Sequence, residues 1–305
     1  MMTPELVSSA NIDTYFARML SSLGDKQRVF AHLPEPRSTG DDESTVFTAS
    51  TAGTASTGII VDVGCGDGSL VKALSAAGYN AVGIDASAQA LARCAENGVI
   101  AYQGAAHTLD TVLTSAGFAA GEVDAFICSA VLHEVFSYGS LAEVEALFAA
   151  MLAMLAPGGR IIVRDGISAG DTPCVIEVDD VMMVQRFMEE SPFSVRNADR
   201  TASSGERTID LEYLWGNRFE GSKSSCAEWA FTYTWRIASW AREVQEFYGV
   251  FTRTQLEALA RRHALRTVFF EEYVQQGYLD ALRDKVEFID TDFPSTNAVW
   301  VFSKV

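Results

Sequence analysis

Positive charge is scarce in this chain: 23 Lys and Arg stand against 40 Asp and Glu, leaving a formal net charge of −17. A field of that sign repels phosphate backbones and anionic membranes, so neither nucleic acid nor a lipid surface is an expected partner. The basic residues that do gather, Arg253, Arg261, Arg262 and Arg266, fall on an amphipathic helix or at its ends and read as a solvated face. Cysteine is sparse and unpatterned. Cys65, Cys94, Cys128, Cys174 and Cys226 are odd in number and contain no CxxC pair, which excludes a disulfide framework and a zinc knuckle and fits a reducing cytoplasm. No metal site is expected. No uncharged apolar run approaches the roughly 18–20 residues that span a bilayer. The opening MMTPELVSSANIDTYF has neither a basic start nor a compact apolar segment, so no signal peptide is expected.

What is present is apolar mass in a regular rhythm. The 305 residues are 48% hydrophobic, enough for one large α/β domain or a core domain carrying an insertion. Residues 11–23 have helical spacing, with Tyr15, Met19 and Leu23 four apart. Residues 37–58 are rich in Ser, Thr, Gly and Asp, the composition of a flexible lid. Strands are then expected over 59–63, 81–85, 99–102, 123–129 and 160–164, with helices between them and a Pro157-Gly158-Gly159 turn before the fifth. After Asp165 the alternation breaks for a Met- and aromatic-rich stretch. A helix over 254–263 and strands over 267–273 and 298–302 then complete the sheet. The expected organisation is an N-terminal helix and lid (1–58), a core (59–166), a large insertion after strand five that caps the substrate (167–245) and a C-terminal completion of the core (246–305). The fold class is α/β: a doubly wound, mostly parallel seven-stranded sheet with an N-terminal helical extension. A monomer or a homodimer is expected.

The strongest chemical signal is Val61-Asp62-Val63-Gly64-Cys65-Gly66-Asp67-Gly68, a strand running into a glycine turn with a helix directly behind it. Glycine permits positive φ and close approach of backbone to a ligand. A dinucleotide fingerprint, GxGxxG or GxGxxA, needs its third small residue where Ser69 stands, and here the third glycine falls one place early at Gly68. Asp62, just before the loop, can orient its N–H groups and meet a cationic amino group, but suits a pyrophosphate badly. Asp85, ending the second strand, suits both hydroxyls of a ribose. Together these point to an adenosyl ligand carrying an amino acid, rather than a nicotinamide cofactor.

At these residues the chain resembles the class I S-adenosylmethionine-dependent methyltransferases, whose first motif reads D/E-x-G-x-G-x-G. The likeness spans roughly 59–166. It implies that Gly64, Cys65, Gly66 and Gly68 line the methionine and ribose of the cofactor, that Asp85 holds the ribose and that Ala86 packs near the adenine. The Pro157-Gly158-Gly159 turn also looks like this family. One departure stands out: where the family often has Gly-Asp-Ala after strand three, this chain has Gly104-Ala105-Ala106-His107. The backbone donor at Ala106 survives, whereas Ala105 replaces the acid. His107, another residue or water then meets the adenine amino group, or the register differs.

The resemblance also places Ser129 and the following residues to Val135 beside the methyl-bearing end of the cofactor. His133 is there the candidate general base, since imidazole titrates near neutrality, or else a cap of the following helix. Arg164 and Asp165 end strand five and are expected at the same cleft, Asp165 binding a substrate amine or orienting Arg164. The alternation in residues 228–235 puts Trp229, Phe231, Tyr233 and Trp235 on one face of an expected strand, as core packing or as an aromatic wall for the acceptor. The likeness suggests Tyr15 as a residue closing the site. The expected activity is methyl transfer from S-adenosylmethionine to O or N of a small molecule, in specialised metabolism. A peptide or RNA methyltransferase and a non-catalytic S-adenosylmethionine-binding regulatory module are the alternatives.

Overall fold

Strand β1 (Ile59–Val63) is buried at all its positions, the pattern of a central strand covered on both faces. The computed structural model describes residues 23–34, 58–200 and 207–305. The expected helix over 11–23 with Tyr15, Leu23 excepted, and the expected lid over 37–58, Gly58 excepted, lie outside them. The described chain begins with helix α1 (Leu23–Lys26) and a 3-10 segment (Gln27–His32). After β1 come α2 (Ser69–Ala76), β2 (Asn80–Asp85), α3 (Ala88–Glu96), β3 (Ala101–Gln103), α4 (Leu109–Ser115), β4 (Val123–Ser129), α5 (Leu132–Tyr138), α6 (Leu141–Met154) and β5 (Leu155–Gly166). Helix α3 starts where Ser87 accepts the Ala90 N–H, and α6 where Ser140 accepts that of Glu143.

The core is a seven-stranded sheet in the order β3-β2-β1-β4-β5-β11-β9, with β9 spanning Leu265–Tyr273 and β11 spanning Asn297–Lys304. Strands β1 to β5 pair in parallel, while β11 runs antiparallel to both β5 and β9. The doubly wound, mostly parallel sheet is thus as expected. On one face Leu109, Leu113, Leu147, Phe148 and Met151 pack against it, and on the other Leu70, Val71, Leu74 and Cys94 do. Full burial of each large apolar side chain stabilises by about 1.5–3 kcal/mol. The strand order reverses between β1 and β4, so the ligand crevice lies at the carboxyl ends of those two strands.

Outside the core, β6 (Pro173–Val178), α7 (Val181–Glu190), β7 (Leu211–Trp215), β8 (Arg218–Ser222), α8 (Lys223–Thr234) and α9 (Arg236–Glu243) form the insertion. Its strands, joined by β10 (Val286–Ile289) from the C-terminal stretch, make a second, antiparallel sheet in the order β10-β6-β8-β7, and the chain returns to the core through α10 (Arg253–Arg262) and α11 (Gln276–Leu282).

Three expectations change. Strand β10 (Val286–Ile289) pairs with β6, so the C-terminal stretch expected only to complete the core also supplies a strand to the second sheet. Residues 228–234 are helix, not strand. Ser222 caps α8 by accepting the Ser225 N–H at 3.0 Å, and residues 225–233 are buried on all sides. A helix buried all round leaves no 3.6-residue polar stripe, and the alternating aromatics mimicked a strand. The Pro157-Gly158-Gly159 turn is a bulge inside β5, with Gly158 at φ +74 and the register to β4 shifting there.

Candidate active site

The loop leaving β1 is built on left-handed glycines: Gly64, Gly66 and Gly68 have φ of +68, +56 and +76. A Cβ at Gly64 would lie 2.5 Å from Val131 Cγ2, and one at Gly68 would lie 2.9 Å from Val99 Cγ1, so larger residues are excluded by contact as well as by conformation. Beneath the loop, the buried Cys65 thiol lies 3.8 Å from that of Cys94, which donates to the Gly66 carbonyl at 3.2 Å. The Asp85 carboxylate ties this loop to the next: Oδ2 accepts the Gly66 N–H at 2.9 Å and Oδ1 the Ser87 N–H at 2.8 Å. Burial raises the Asp85 pKa, and these two donors only partly offset it. Each oxygen keeps a further lone pair for a ligand.

Asp62 is 3% exposed, and no hydrogen-bond donor among the described residues reaches its carboxylate. Burial pushes its pKa to about 7, against the pull of the nearby Lys26 ammonium. Lys26 ends α1, with its pKa lowered by burial and partly restored by Asp62, Asp67 and Glu134. Its neighbour Asp25 fixes α1 over the strand ends, accepting from Arg164 Nε at 2.7 Å and from Tyr273 OH at 2.9 Å. Sequence reading missed Lys26, because nothing in Leu-Gly-Asp-Lys marks it as a neighbour of Asp62.

Past β3, Gly104 donates to the Asp85 carbonyl at 3.0 Å, Gln103 Nε2 to the Ala86 carbonyl at 3.3 Å and Thr108 to the Ala105 carbonyl at 3.1 Å. Ala86 is exposed. Ala106 opens a 3-10 turn (Ala106–Thr108), where the first N–H groups lack an intrahelical acceptor. The His107 ring faces Glu143 at 3.8 Å.

Across the switch point, β4 ends at Ser129 and Ala130 takes φ +60, a conformation that costs a non-glycine residue roughly 1–3 kcal/mol. The turn aims the Val131 and Leu132 N–H groups at Asp165 Oδ2, at 2.9 and 2.7 Å, so Asp165 caps α5 from a neighbouring strand. Its Oδ1 lies 2.6 Å from His133 Nδ1, and His133 Nε2 lies 3.6 Å from Glu246 Oε2. Burial disfavours charge on the ring, but the two carboxylates more than compensate and raise the His133 pKa well above its ordinary value. Burial likewise pushes Asp165 and Glu246 up, and their cationic partners outweigh it, leaving Asp165 lowered and Glu246 at about 2. The expectation that Arg164 and Asp165 share one cleft gives way. Consecutive strand residues point to opposite faces, and Arg164 binds Asp25 and reaches Ser129 Oγ at 3.5 Å.

Helix α5 also holds the end of the insertion and the segment that follows it. Glu134 meets Arg242 at 2.6 Å, Ser137 Oγ accepts the Phe247 N–H at 2.8 Å and Tyr138 OH donates to Glu246 at 3.0 Å. Tyr248 stacks on the His133 ring at 5.4 Å and bonds Glu243. Within the insertion Trp229 is fully buried between Tyr233, stacked at 4.5 Å, and Phe187 at 5.9 Å, and Trp235 meets Tyr278 edge-on at 6.2 Å. Among the described residues no group of three or more His, Cys, Asp or Glu could hold a metal ion, and no helix is long and apolar enough to cross a membrane.

No curated protein matches the chain. Among solved structures it is similar to an S-adenosylmethionine-dependent methyltransferase from Mesorhizobium loti (15% identity, 82% of this chain and 94% of that one, TM-score 0.48). It is similar to one from Methanosarcina mazei (14%, 83% and 94%, 0.47). A third is the 1,6-didemethyltoxoflavin-N1-methyltransferase of Burkholderia thailandensis, solved with 1,6-didemethyltoxoflavin and S-adenosylhomocysteine (14%, 100% and 93%, 0.46). Likeness at this level says nothing about the acceptor. Residues 61–163 match the family model of a methyltransferase domain. The match falls on the stretch from β1 to β5 that carries both loops of the crevice, so residues 61–163 are similar to a methyltransferase domain.

Proposed function

We propose that the chain transfers a methyl group from S-adenosylmethionine to an oxygen or nitrogen of a small-molecule acceptor held beneath the cap. The observation that carries the reading is the buried Asp62 carboxylate beside Lys26 at the mouth of the glycine loop, which accepts no hydrogen bond from the described residues. An anion and a cation, each short of solvent, complement the zwitterionic amino-acid end of the cofactor: Asp62 takes its ammonium and Lys26 its carboxylate. Asp85 is then left for the ribose, Gly64 to Gly68 for close backbone contact, Ala86 for the adenine face and the Ala106 N–H for the ring. When bound, the cofactor supplies an activated methyl group, and the chain's own task is to hold the acceptor in line with it.

A small acceptor is favoured by the buried aromatic cap that α5 fixes next to the end of β4, and the net charge of −17 opposes RNA. The test is a methyl-transfer screen with amines, phenols and carboxylic acids, each with and without the protein, following S-adenosylhomocysteine release. Turnover with peptides or RNA but with no small molecule would replace this reading.

A further inference from the structure

We infer that His133 is a positioning residue: bridging Asp165 and Glu246, it latches the cap segment 242–248 to the carboxyl end of the core sheet, and it is not the proton acceptor of methyl transfer. The inference deepens the proposed function and rests on it only for the identity of the reaction.

The geometry leaves the imidazole no nitrogen for a substrate. Nδ1 is held 2.6 Å from Asp165, whose carboxylate is itself fixed by the N–H groups of Val131, Leu132 and Gly166. Nε2 faces Glu246 at 3.6 Å, and Tyr248 covers the ring. Every element packed around the ring presents acid: Asp165 from β5, Glu228 from α8, Glu243 and Glu246 from the end of α9 and beyond, and Glu134 from its own helix. Arg242 answers Glu134 and Glu246, leaving the ring as the cation between Asp165 and Glu246. A neutral ring would leave two buried carboxylates facing one another. The raised pKa of the ring agrees with this charge count.

The same contacts explain why the latch lies here. Asp165 belongs to the core and Glu246 to the cap, while His133 follows the Ala130 turn that borders the crevice. A ring fixed at both ends sets how close the cap comes to that turn, and hence the room left for an acceptor. Acceptors that attack through an available lone pair, such as amines, need no base from this position, and their proton can leave to solvent afterwards.

Two measurements on the full chain test the latch. Nuclear magnetic resonance of ring-labelled histidine, with the His133 signal assigned through His133→Gln, should show it titrating well above the ordinary histidine value, while His32 and His263 titrate below it. Amide hydrogen exchange should show the Phe247 and Tyr248 N–H groups, bonded to Ser137 and Glu228, exchanging at least about tenfold faster in His133→Gln and in Glu246→Gln. A His133 ring titrating near its ordinary pKa of about 6.5 would overturn the inference. Unchanged exchange at both amides in Glu246→Gln would overturn it too, and that variant serves if His133→Gln does not fold. Neither readout needs the cofactor, so S-adenosylhomocysteine binding separates failure of the latch from failure of the methyl-transfer reading.

Discussion

The Asp85 carboxylate accepts the Gly66 N–H at 2.9 Å, across 19 residues of sequence, and so fixes the glycine loop to the end of β2. One side chain thereby shapes the loop and presents its remaining lone pairs to the crevice, which joins the stability of this corner to ligand binding.

That corner tolerates no side chain at Gly64. Gly64→Ala needs a left-handed alanine with its Cβ 2.5 Å from Val131 Cγ2. A loss of about 1–3 kcal/mol in urea unfolding is expected, together with weaker S-adenosylhomocysteine binding. Gly98→Ala, at φ +68 with nothing within 4 Å of its Cβ, is the control; it should lose stability but keep affinity.

On the proposed function, Lys26 meets only the amino-acid end of the cofactor. Lys26→Met should weaken S-adenosylhomocysteine binding by about 1.5–3 kcal/mol, the range of a hydrogen bond to a charged group. The affinity for 5′-methylthioadenosine, which has no amino-acid end, should not change. Equal losses for both ligands in a competition assay would remove Lys26 from the site.

The loop and its strand were plain in the sequence, because Ile59–Val63 is apolar at every position but Asp62 and the glycines mark positive φ, both local properties. Val123–Ser129 was legible for the same reason. Helix α8 was not: buried on every side, it shows no amphipathic period, and its aromatics fall two apart. The pairing of β10 with β6 joins segments more than a hundred residues apart and has no local signal. The positions of Lys26 and Asp165 depend on side chains meeting from distant elements, so Lys26 went unnoticed and Asp165 was read as a substrate or Arg164 partner, not as the cap of α5.

The buried acids set the pH dependence of stability. Asp62, Glu228 and Glu243 have folded pKa values raised to about 7, so their contribution is present below their unfolded values and is lost as pH rises through about 7. Asp165 and Glu246 are lowered, so theirs is present above the ordinary carboxylate range and is lost as pH falls, for Glu246 through about 2. His133, raised, contributes below its unfolded value and keeps contributing until pH passes its folded one. The melting temperature should therefore peak near the ordinary carboxylate range, at about pH 4 to 4.5, and decline from there toward pH 8. Glu243→Gln should flatten the upper limb, and a melting temperature rising steadily from pH 5 to 8 would contradict the assignment.

Breaking the buried ion group should cost more than removing it. His133→Leu leaves Asp165 and Glu246 without their shared cation and should lose about 3–5 kcal/mol in chemical denaturation. Combining it with Glu246→Leu should recover part of that loss, since the second buried charge leaves with the first.

Trp229 supports the cap from within. Trp229→Ala should destabilise by about 3–5 kcal/mol, while Trp229→Phe should cost less and leave S-adenosylhomocysteine affinity intact. A selective loss of acceptor binding in a stable Trp229→Phe variant would instead make this ring part of the acceptor wall.

The measurement that bears most directly on the central claim is isothermal titration calorimetry of S-adenosylhomocysteine with the full chain and with Asp85→Ala. The account predicts one-to-one binding to the unaltered chain and a loss of roughly 2–4 kcal/mol in the variant, as two charge-assisted hydrogen bonds disappear. Absence of binding to the unaltered chain, or equal affinity in the two, would contradict it.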